Sequence, residues 1–435
     1  MINQEDYEKW LTNKSINPST GRSIKIGGPI YKRYEEYELT LMNDRSTIRA
    51  ILAQEFNKYT HLTNICLPSP KIKNFLTDIY LIGSGSFGQV FSGVFRNVHI
   101  AAKQSLLSIK ERNEVMRNIA AGQKTLFNKC YPNEYRFQVL TQKLLDDNKS
   151  QNFLNIYGLS FCKDGEITLH NRLKKGSCYI TFMELADESL SSVSLRTEQT
   201  HCNMLFQLLA ALHILQKIYS ILHNDIKAEN ILIKRIPPGG VWEYVIQNKS
   251  YFVANIGFIA LINDFGVSRS FSPDYTLDGY LGERNAVIED GKFVPFKMDY
   301  FLTIDNGKLS KEKPYYFNWK VRNSGTRNRF HKKLTYPSNM DSQYIPPFEF
   351  FFDLQDIVRM FIGGKRLFQP GYHKAISSDA QFIQKLRKYC KETMLLTTQW
   401  PLDSVKFFLA GAMLEDFFTL SEPKEKVIIA RYIDS

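Results

Sequence analysis

Cysteine is scarce and badly spaced for chemistry: six in 435 residues (Cys66, Cys130, Cys162, Cys178, Cys202 and Cys390), with no CxxC pair and no zinc-ligand spacing. The expectation is free thiols in a reducing compartment, without a structural metal. Long apolar runs are also missing. The most apolar stretch, Tyr251 to Ile262, is too short to cross a bilayer, which takes about 20 residues. The opening Met1-Ile2-Asn3-Gln4-Glu5-Asp6 is polar and acidic, with no apolar signal-peptide core behind it. Position 2 is not glycine and the last four residues form no prenylation box, so a lipid anchor has no support. No internal repeat or low-complexity tract stands out. These absences point to a soluble, intracellular protein without membrane insertion.

What is present can fill real cores. Hydrophobic residues make up 43% of the chain and aromatic residues 13%, enough for two or three compact units and against disorder as the default. The net charge is +12, from 56 basic and 44 acidic residues. That balance suits phosphate-rich or acidic partners without selecting among them, and it suits a generally basic surface equally well.

Residues 1–40 read as a small module. Tyr7 to Leu11 suits a helical turn, Asn17-Pro18-Ser19-Thr20-Gly21 is turn chemistry, and Pro29 opens a helix carrying Tyr31, Tyr34 and Tyr37. The string Lys9-Trp10-Leu11 to Asn17-Pro18-Ser19-Thr20-Gly21-Arg22-Ser23-Ile24 resembles the two-cysteine adaptor motif of large DNA virus proteins. The first cysteine of the chain is Cys66, so the pair that names the motif is absent. The resemblance implies a module that binds another viral protein. Residues 41–75 supply a helix, with Ile48, Ile51, Leu52, Phe56 and Tyr59 on one face, and then a linker at Leu67-Pro68-Ser69-Pro70.

Further along, Ile82-Gly83-Ser84-Gly85-Ser86-Phe87-Gly88-Gln89-Val90 places three glycines at G-x-G-x-x-G spacing. The strand-like residues after it indicate a strand–turn–strand that lets backbone approach a triphosphate, and not the strand-to-helix entry of a dinucleotide site. Lys103 ends a second strand, Ile100-Ala101-Ala102-Lys103, 20 positions beyond Gly83. Glu111, Glu114 and Glu134 are candidates to hold it. Glu134 is preferred because Phe137, Leu140, Leu144 and Leu145 behind it define a helix face. A buried strand runs through Met183 and Glu184 to a corner at Ala186. A core helix from Asn203 to Tyr219 then delivers Leu222-His223-Asn224-Asp225-Ile226-Lys227-Ala228-Glu229-Asn230. The turn Pro237-Pro238-Gly239-Gly240 and a strand over Tyr251 to Ile262 form an expanded hairpin leading to Asp264-Phe265-Gly266, 39 positions after Asp225.

In this order and near this spacing, these motifs resemble those of the protein kinase superfamily. With the N-terminal motif, the chain is similar to a serine/threonine kinase of a large, iridovirus-like DNA virus. The resemblance implies an α+β, bilobal kinase fold over 76–435, with a β-rich lobe at 76–185 and a helical lobe at 186–435, and MgATP between them. It implies ATP contacts at residues 82–90, Ala101, Lys103, Glu134, Met183 as gatekeeper, Glu184 and Ala186. Asn230 and Asp264 would hold Mg2+, Asp225 would take the hydroxyl proton, and Lys227 would offset γ-phosphate charge. The resemblance also implies protein serine or threonine as acceptor, and a place in the host cytoplasm or the virion. Asn224 stands where the family has arginine, so activity without loop phosphorylation is expected. Residues 267–324 would be an activation segment with an insert. The basic cluster from Lys320 to Lys333 reads as a solvated face or as an anchor for acidic substrates. Asp353, on an apolar helix from Phe352 to Gly364, would brace the catalytic loop backbone.

Overall fold

The computed structural model describes residues 76–107 except 86, 87, 96 and 97; 132–193 except 170 and 171; and 197–270 except 267. It also describes most of 10–34, scattered positions from 45 to 67, residue 113, short strands between 287 and 334, and residues 345–362, 381–392, 410–418 and 427–434. The chain forms two compact units, Met1–His61 and Leu62–Ser435.

In the first unit, the turn closes as the residue types demand. Asn17 O accepts from Thr20 N at 3.2 Å and from Gly21 N at 2.8 Å, and Gly21 takes the φ of 67° that glycine permits. Ile16 and Ser23 bridge across that turn. Pro29 begins helical structure that reaches Tyr34. Trp10 is fully buried, stacked on Tyr34 at 5.3 Å and edge-on to Tyr31 at 5.5 Å, so aromatic contact supplies the small core. Leu52 and Phe56 are buried on the face expected of the second helix, while Ile51 and Tyr59 lie outside the described residues.

The second unit starts with an antiparallel sheet in the order β1-β2-β3-β5-β4. Its strands are β1 (Thr77–Ser84), β2 (Gly88–Phe95), β3 (Val98–Leu106), β4 (Ile156–Leu169) and β5 (Arg172–Glu184). Helix α1 (Asn133–Asp146) lies between β3 and β4 in sequence and enters directly after Pro132. Cys162 and Cys178 are register partners on β4 and β5. Cys178 is a free thiol, but Cys162 is disulfide-bonded to a partner outside the described residues, which corrects the expectation of free thiols throughout. Scattered spacing cannot reveal a bridge that tertiary packing makes.

Helix α2 (Glu198–Tyr219) is the spine of the remainder. Thr197 and Thr200 exchange side-chain and backbone bonds as a capping box, and Ser220 ends the helix with a left-handed φ of 48°. Leu205, Leu208, Leu209, Leu212 and Leu215 are all fully buried. The short β6 (Glu188–Ser189), β8 (Ile231–Arg235) and β11 (Phe258–Ile262) form one sheet; β7 (Ile221–Leu222) pairs with β12 (Arg269–Ser270).

The segment between β8 and β11 departs from the expected single expanded hairpin. Tyr251 to Ile262 is not one strand, because Asn255-Ile256-Gly257 interrupts it and Gly257 takes φ 98°. Instead β9 (Val241–Ile246) and β10 (Lys249–Ala254) make a separate hairpin. Its two-residue turn, Gln247-Asn248, has φ of 52° and 62°, the twist that suits adjacent antiparallel strands.

Beyond it lie three short hairpins. They pair β13 (Val287–Glu289) with β14 (Lys292–Val294), β15 (Ile304–Asp305) with β16 (Lys308–Leu309), and β17 (Tyr315–Asn318) with β18 (His331–Leu334). Helices α3 (Ile345–Ile362), α4 (Gln381–Glu392) and α5 (Ala410–Phe417) follow. Pro346 and Pro347 fall in the first turn of α3, where a missing N–H costs nothing. The last strand, β19 (Ile428–Ile433), adds to the free side of β9 in parallel, giving the order β10-β9-β19. No helix among the described residues is long and apolar enough to cross a membrane.

Candidate active site

Strand pairing brings the first group of site residues together. Ala101, Lys103 and Ser105 of β3 face Met183, Thr181 and Tyr179 of β5, and side chains two positions apart share a sheet face. Val90 of β2 is the other neighbour of Lys103, and Gly83 of β1 pairs with Val90. Ile82 is half exposed on β1. Gly85 N donates to Gly88 O at 2.9 Å, which closes the glycine turn; Ser86 and Phe87 lie outside the described residues. A Cβ on Gly88 would sit 2.2 Å from Gln104 O, so only glycine lets β2 approach β3 there.

Lys103 Nζ lies 2.5 Å from Glu134 Oε1 and 2.9 Å from Asp264 Oδ1. Tyr179 OH donates to Glu134 Oε2 at 3.0 Å, a contact the sequence reading missed. Counting by twos from Met183 would have placed Tyr179 on this face. Glu111 and Glu114 are outside the described residues. Burial alone would lower the Lys103 pKa, but the two carboxylates overcome it and push it up, so the ammonium stays charged. Burial, helped by Asp264, raises Glu134 against the pull of Lys103. For Asp264 burial acts upward, yet Lys103 and Lys227 hold it below the ordinary carboxylate range. One cation is thus shared by two carboxylates, with Asp264 the more strongly ionised.

The second group comes from the loop between β7 and β8. Lys227 Nζ donates to Asp225 Oδ2 at 2.6 Å. Asn230 Nδ2 donates to Asp225 O at 2.8 Å and to Asp225 Oδ2 at 2.9 Å. Burial raises the Asp225 pKa, with Lys227 opposing it. The loop itself is braced from α3: Asp353 accepts His223 N at 2.5 Å and Asn224 N at 2.8 Å. Asn224 takes φ 65°, a conformation asparagine tolerates better than most residues. His223 is fully buried, its Nε2 is 2.9 Å from Asn263 O, and burial pushes its pKa down to about 4, so the ring is neutral. Its ring sits 4.9 Å from that of Phe265, and Ser268 Oγ donates to His223 O at 3.0 Å. These contacts fasten the Asp264-Phe265-Gly266 turn to the Asp225 loop.

Between the groups, three carboxylates (Glu134, Asp264 and Asp225) face two ammonium groups (Lys103 and Lys227), an excess of one negative charge. Asp264 Oδ2 and Asn230 Oδ1 are hard oxygen donors, so the chemistry of this set fits a divalent cation such as Mg2+.

At the corner, Met183 is buried, and Glu184 N donates to Asn155 O at 2.8 Å while Glu184 Oε2 accepts Asn155 N at 3.1 Å. Lys234 Nζ donates to Leu185 O at 3.0 Å, which holds the segment leading to Ala186. Of the expected basic cluster from Lys320 to Lys333, Lys320, Arg322, Arg327 and Arg329 lie outside the described residues, as do Ser324, Gly325 and Thr326, while His331, Lys332 and Lys333 begin β18.

This arrangement, a five-stranded sheet and one helix set against a helical region with charged loops between, is that of a protein kinase. Residues 76–285 match the family model described as "Protein tyrosine and serine/threonine kinase", and residues 8–36 match the "2-cysteine adaptor domain". The chain is 29% identical over 445 residues to "Probable serine/threonine-protein kinase 380R" of Invertebrate iridescent virus 6, covering 94% of this chain and 82% of that protein. It is 28% identical over 339 residues to "Putative serine/threonine-protein kinase 019R" of Frog virus 3 (isolate Goorha), covering 68% of this chain and 38% of the relative. A 30-residue stretch is 68% identical to part of "Putative ubiquitin thioesterase 232R" of Invertebrate iridescent virus 6, covering 7% of this chain and 4% of that one. The chain has the protein kinase fold and is similar over most of its length to serine/threonine-protein kinases of iridoviruses.

Proposed function

We propose that the chain transfers the γ-phosphoryl group of ATP to serine or threonine hydroxyls of proteins, with each side chain in the role its contacts suit. The carrying observation is the convergence of Lys103, Glu134 and Asp264 opposite Asp225, Lys227 and Asn230. In this reading Lys103, held by Glu134, grips α- and β-phosphate oxygens under the backbone of residues 82–90. Ala101 and Met183 flank the base, whose edge meets the backbone of Glu184 and Ala186. Asp264 and Asn230 hold Mg2+, whose charge offsets that of the phosphates. Asp225 orients the acceptor hydroxyl and takes its proton; Lys227 leaves Asp225 to meet the γ-phosphate. Phosphoryl transfer needs little covalent help, so positioning and electrostatics carry the rate.

Incubation of the full chain with MgATP and a generic protein substrate tests this. Wild type incorporates phosphate on serine and threonine, while Asp225→Asn and Asp264→Ala do not; equal incorporation by all three would refute the assignment.

Asn224 bears on regulation. With an amide where an arginine would pair an activation-loop phosphate, the kinase works without that phosphate. Phosphatase-treated enzyme, checked by mass spectrometry, should keep its rate. We further assign residues 1–40 to a module that binds another viral protein, 41–75 to a helix and linker, and 76–435 to the kinase domain. Acidic protein substrates and a site of action in host cytoplasm or virion complete the proposal.

A further inference from the structure

Glu134 stands near the start of α1, and the base of that helix is set by the loop 147–155 that follows it. Gln142 of α1 accepts Ile156 N at 2.6 Å and donates to Asn155 Oδ1 at 3.3 Å, which ties the helix to the loop's far end. The middle of the loop is buried: Asn152 is fully enclosed and Gln151 is 7% exposed.

Both amides are fastened to the inserted sheet. Tyr432 OH, on β19, donates to Gln151 Oε1 at 2.9 Å. Gln151 Nε2 donates to Tyr244 OH, on β9, at 2.9 Å, and Tyr244 OH donates to Asn152 Oδ1 at 3.3 Å. Asn152 Nδ2 then donates to Gln207 Oε1 on α2 at 2.9 Å and to Ala260 O on β11 at 2.8 Å. Asn152 O accepts Ile262 N, two residues before Asp264, at 2.9 Å. One continuous line of hydrogen bonds therefore runs from β19, through the β9–β10 hairpin and the loop that follows α1, to β11, which ends two residues before Asp264.

β19 is itself latched. Asp434 Oδ2 lies 2.9 Å from His213 Nε2 and 3.0 Å from Lys217 Nζ, both on α2, and accepts Gln247 N at 3.0 Å. Arg431 Nε reaches Glu243 Oε2 at 2.6 Å, and the rings of Tyr432 and Tyr244 lie 5.1 Å apart.

We propose that β19 is an activating strap, and that Tyr432 and Gln151 are positioning residues that hold α1 where Glu134 meets Lys103. The lever is geometric. Glu134 lies about 18 Å along the helix from its base, so a tilt of about 10° displaces it by roughly 3 Å, enough to open a 2.5 Å ion pair. The inference rests on the role given to the Lys103–Glu134 pair above.

The test uses the full chain with Tyr432→Phe, and a chain ending at residue 426, measuring kcat, KM for ATP, and hydrogen exchange of 133–146 against 198–219. Tyr432→Phe removes one hydrogen bond and should lower kcat/KM about fivefold, while exchange rises in 133–146 and not in 198–219. The shorter chain should show the same pattern, enlarged. In a Glu134→Gln background, Tyr432→Phe should have no further effect, because the contact it positions is already lost. An undiminished fivefold loss in that background, or unchanged exchange in 133–146, would overturn the proposal. If wild type transfers no phosphate, the kinase reading fails, and the exchange comparison still decides whether β19 holds α1.

Discussion

Two polar clusters, both largely buried, involve opposite ends of α1 and behave in opposite ways. One is at Glu134 near the helix start, and the other is in the loop that follows its last residue. Around Lys103 the groups are charged and outnumbered: two carboxylates share one ammonium group, and a third faces Lys227. Around Asn152 the groups are neutral and matched: its amide donates to Gln207 Oε1 at 2.9 Å and to Ala260 O at 2.8 Å, and its Oδ1 accepts Tyr244 OH at 3.3 Å. An over-shared cation can trade a partner for a ligand without leaving a charge stranded. A closed amide network cannot trade anything, and buried groups without partners are costly, so it fixes geometry.

The largest expected effect comes from breaking the reactive side at its base. Asp225→Asn should lower the phosphotransfer rate by about 10²–10⁴-fold with little change in thermal unfolding; a loss of less than about tenfold would remove Asp225 from that role. Glu134→Gln should cost about 10–100-fold in kcat/KM, the weight of a charged hydrogen bond of about 1.5–3 kcal/mol. Asn152→Ala probes the rigid side. It takes the Asn152 donor from Ala260 O and the Asn152 acceptor from Tyr244 OH, while Gln207 Oε1 keeps Ala260 N, and should destabilise the fold by roughly 1–3 kcal/mol in denaturant titration.

pH separates the two clusters further. Burial raises Asp225 above the ordinary carboxylate range, so its base form is lost earlier as pH falls. The acid limb of kcat should therefore lie above that of an ordinary aspartate, and the amides of the other cluster add no limb. A limb at the ordinary aspartate position would contradict the burial argument. The smallest effect is expected at Arg431→Ala. This side chain is 57% exposed in its pair with Glu243, and Ser250 Oγ also bonds Glu243, so stability should change by less than about 1 kcal/mol.

The reactive cluster was legible in the sequence and the rigid one was not. Gly88, Lys103, Asp225, Asn230 and Asp264 lie in short strings that resemble protein kinase motifs in order and near spacing. Glu134 could be chosen from three glutamates because Phe137, Leu140 and Leu144 mark a helix face, and all three are buried. The hydrogen-bond partners of Gln151, Asn152, Tyr244 and Tyr432 follow from no local pattern, since they come from four separate elements. The β9–β10 hairpin was hidden for a local reason. Its turn is Gln247-Asn248, without the glycine that usually signals positive φ at both positions. Trp242, Tyr244 and Ile246 alternate, as do Tyr251 and Val253, a two-residue period that the expectation of a single strand over Tyr251 to Ile262 left unused. The disulfide at Cys162 had no local signature at all.

The pairing of β19 with β9 also sets an order of assembly. Arg431 meets Glu243 across 188 positions of sequence. Contacts so distant cannot form early, because the ends of a long loop must first be brought together. While the chain is being synthesised, β9 carries a bare edge, and the loop beneath α1 lacks its outermost bond until the last strand arrives. Competence for phosphate transfer should therefore appear late and nearly all at once, so partly made chains have the whole glycine turn and catalytic loop yet remain poor kinases.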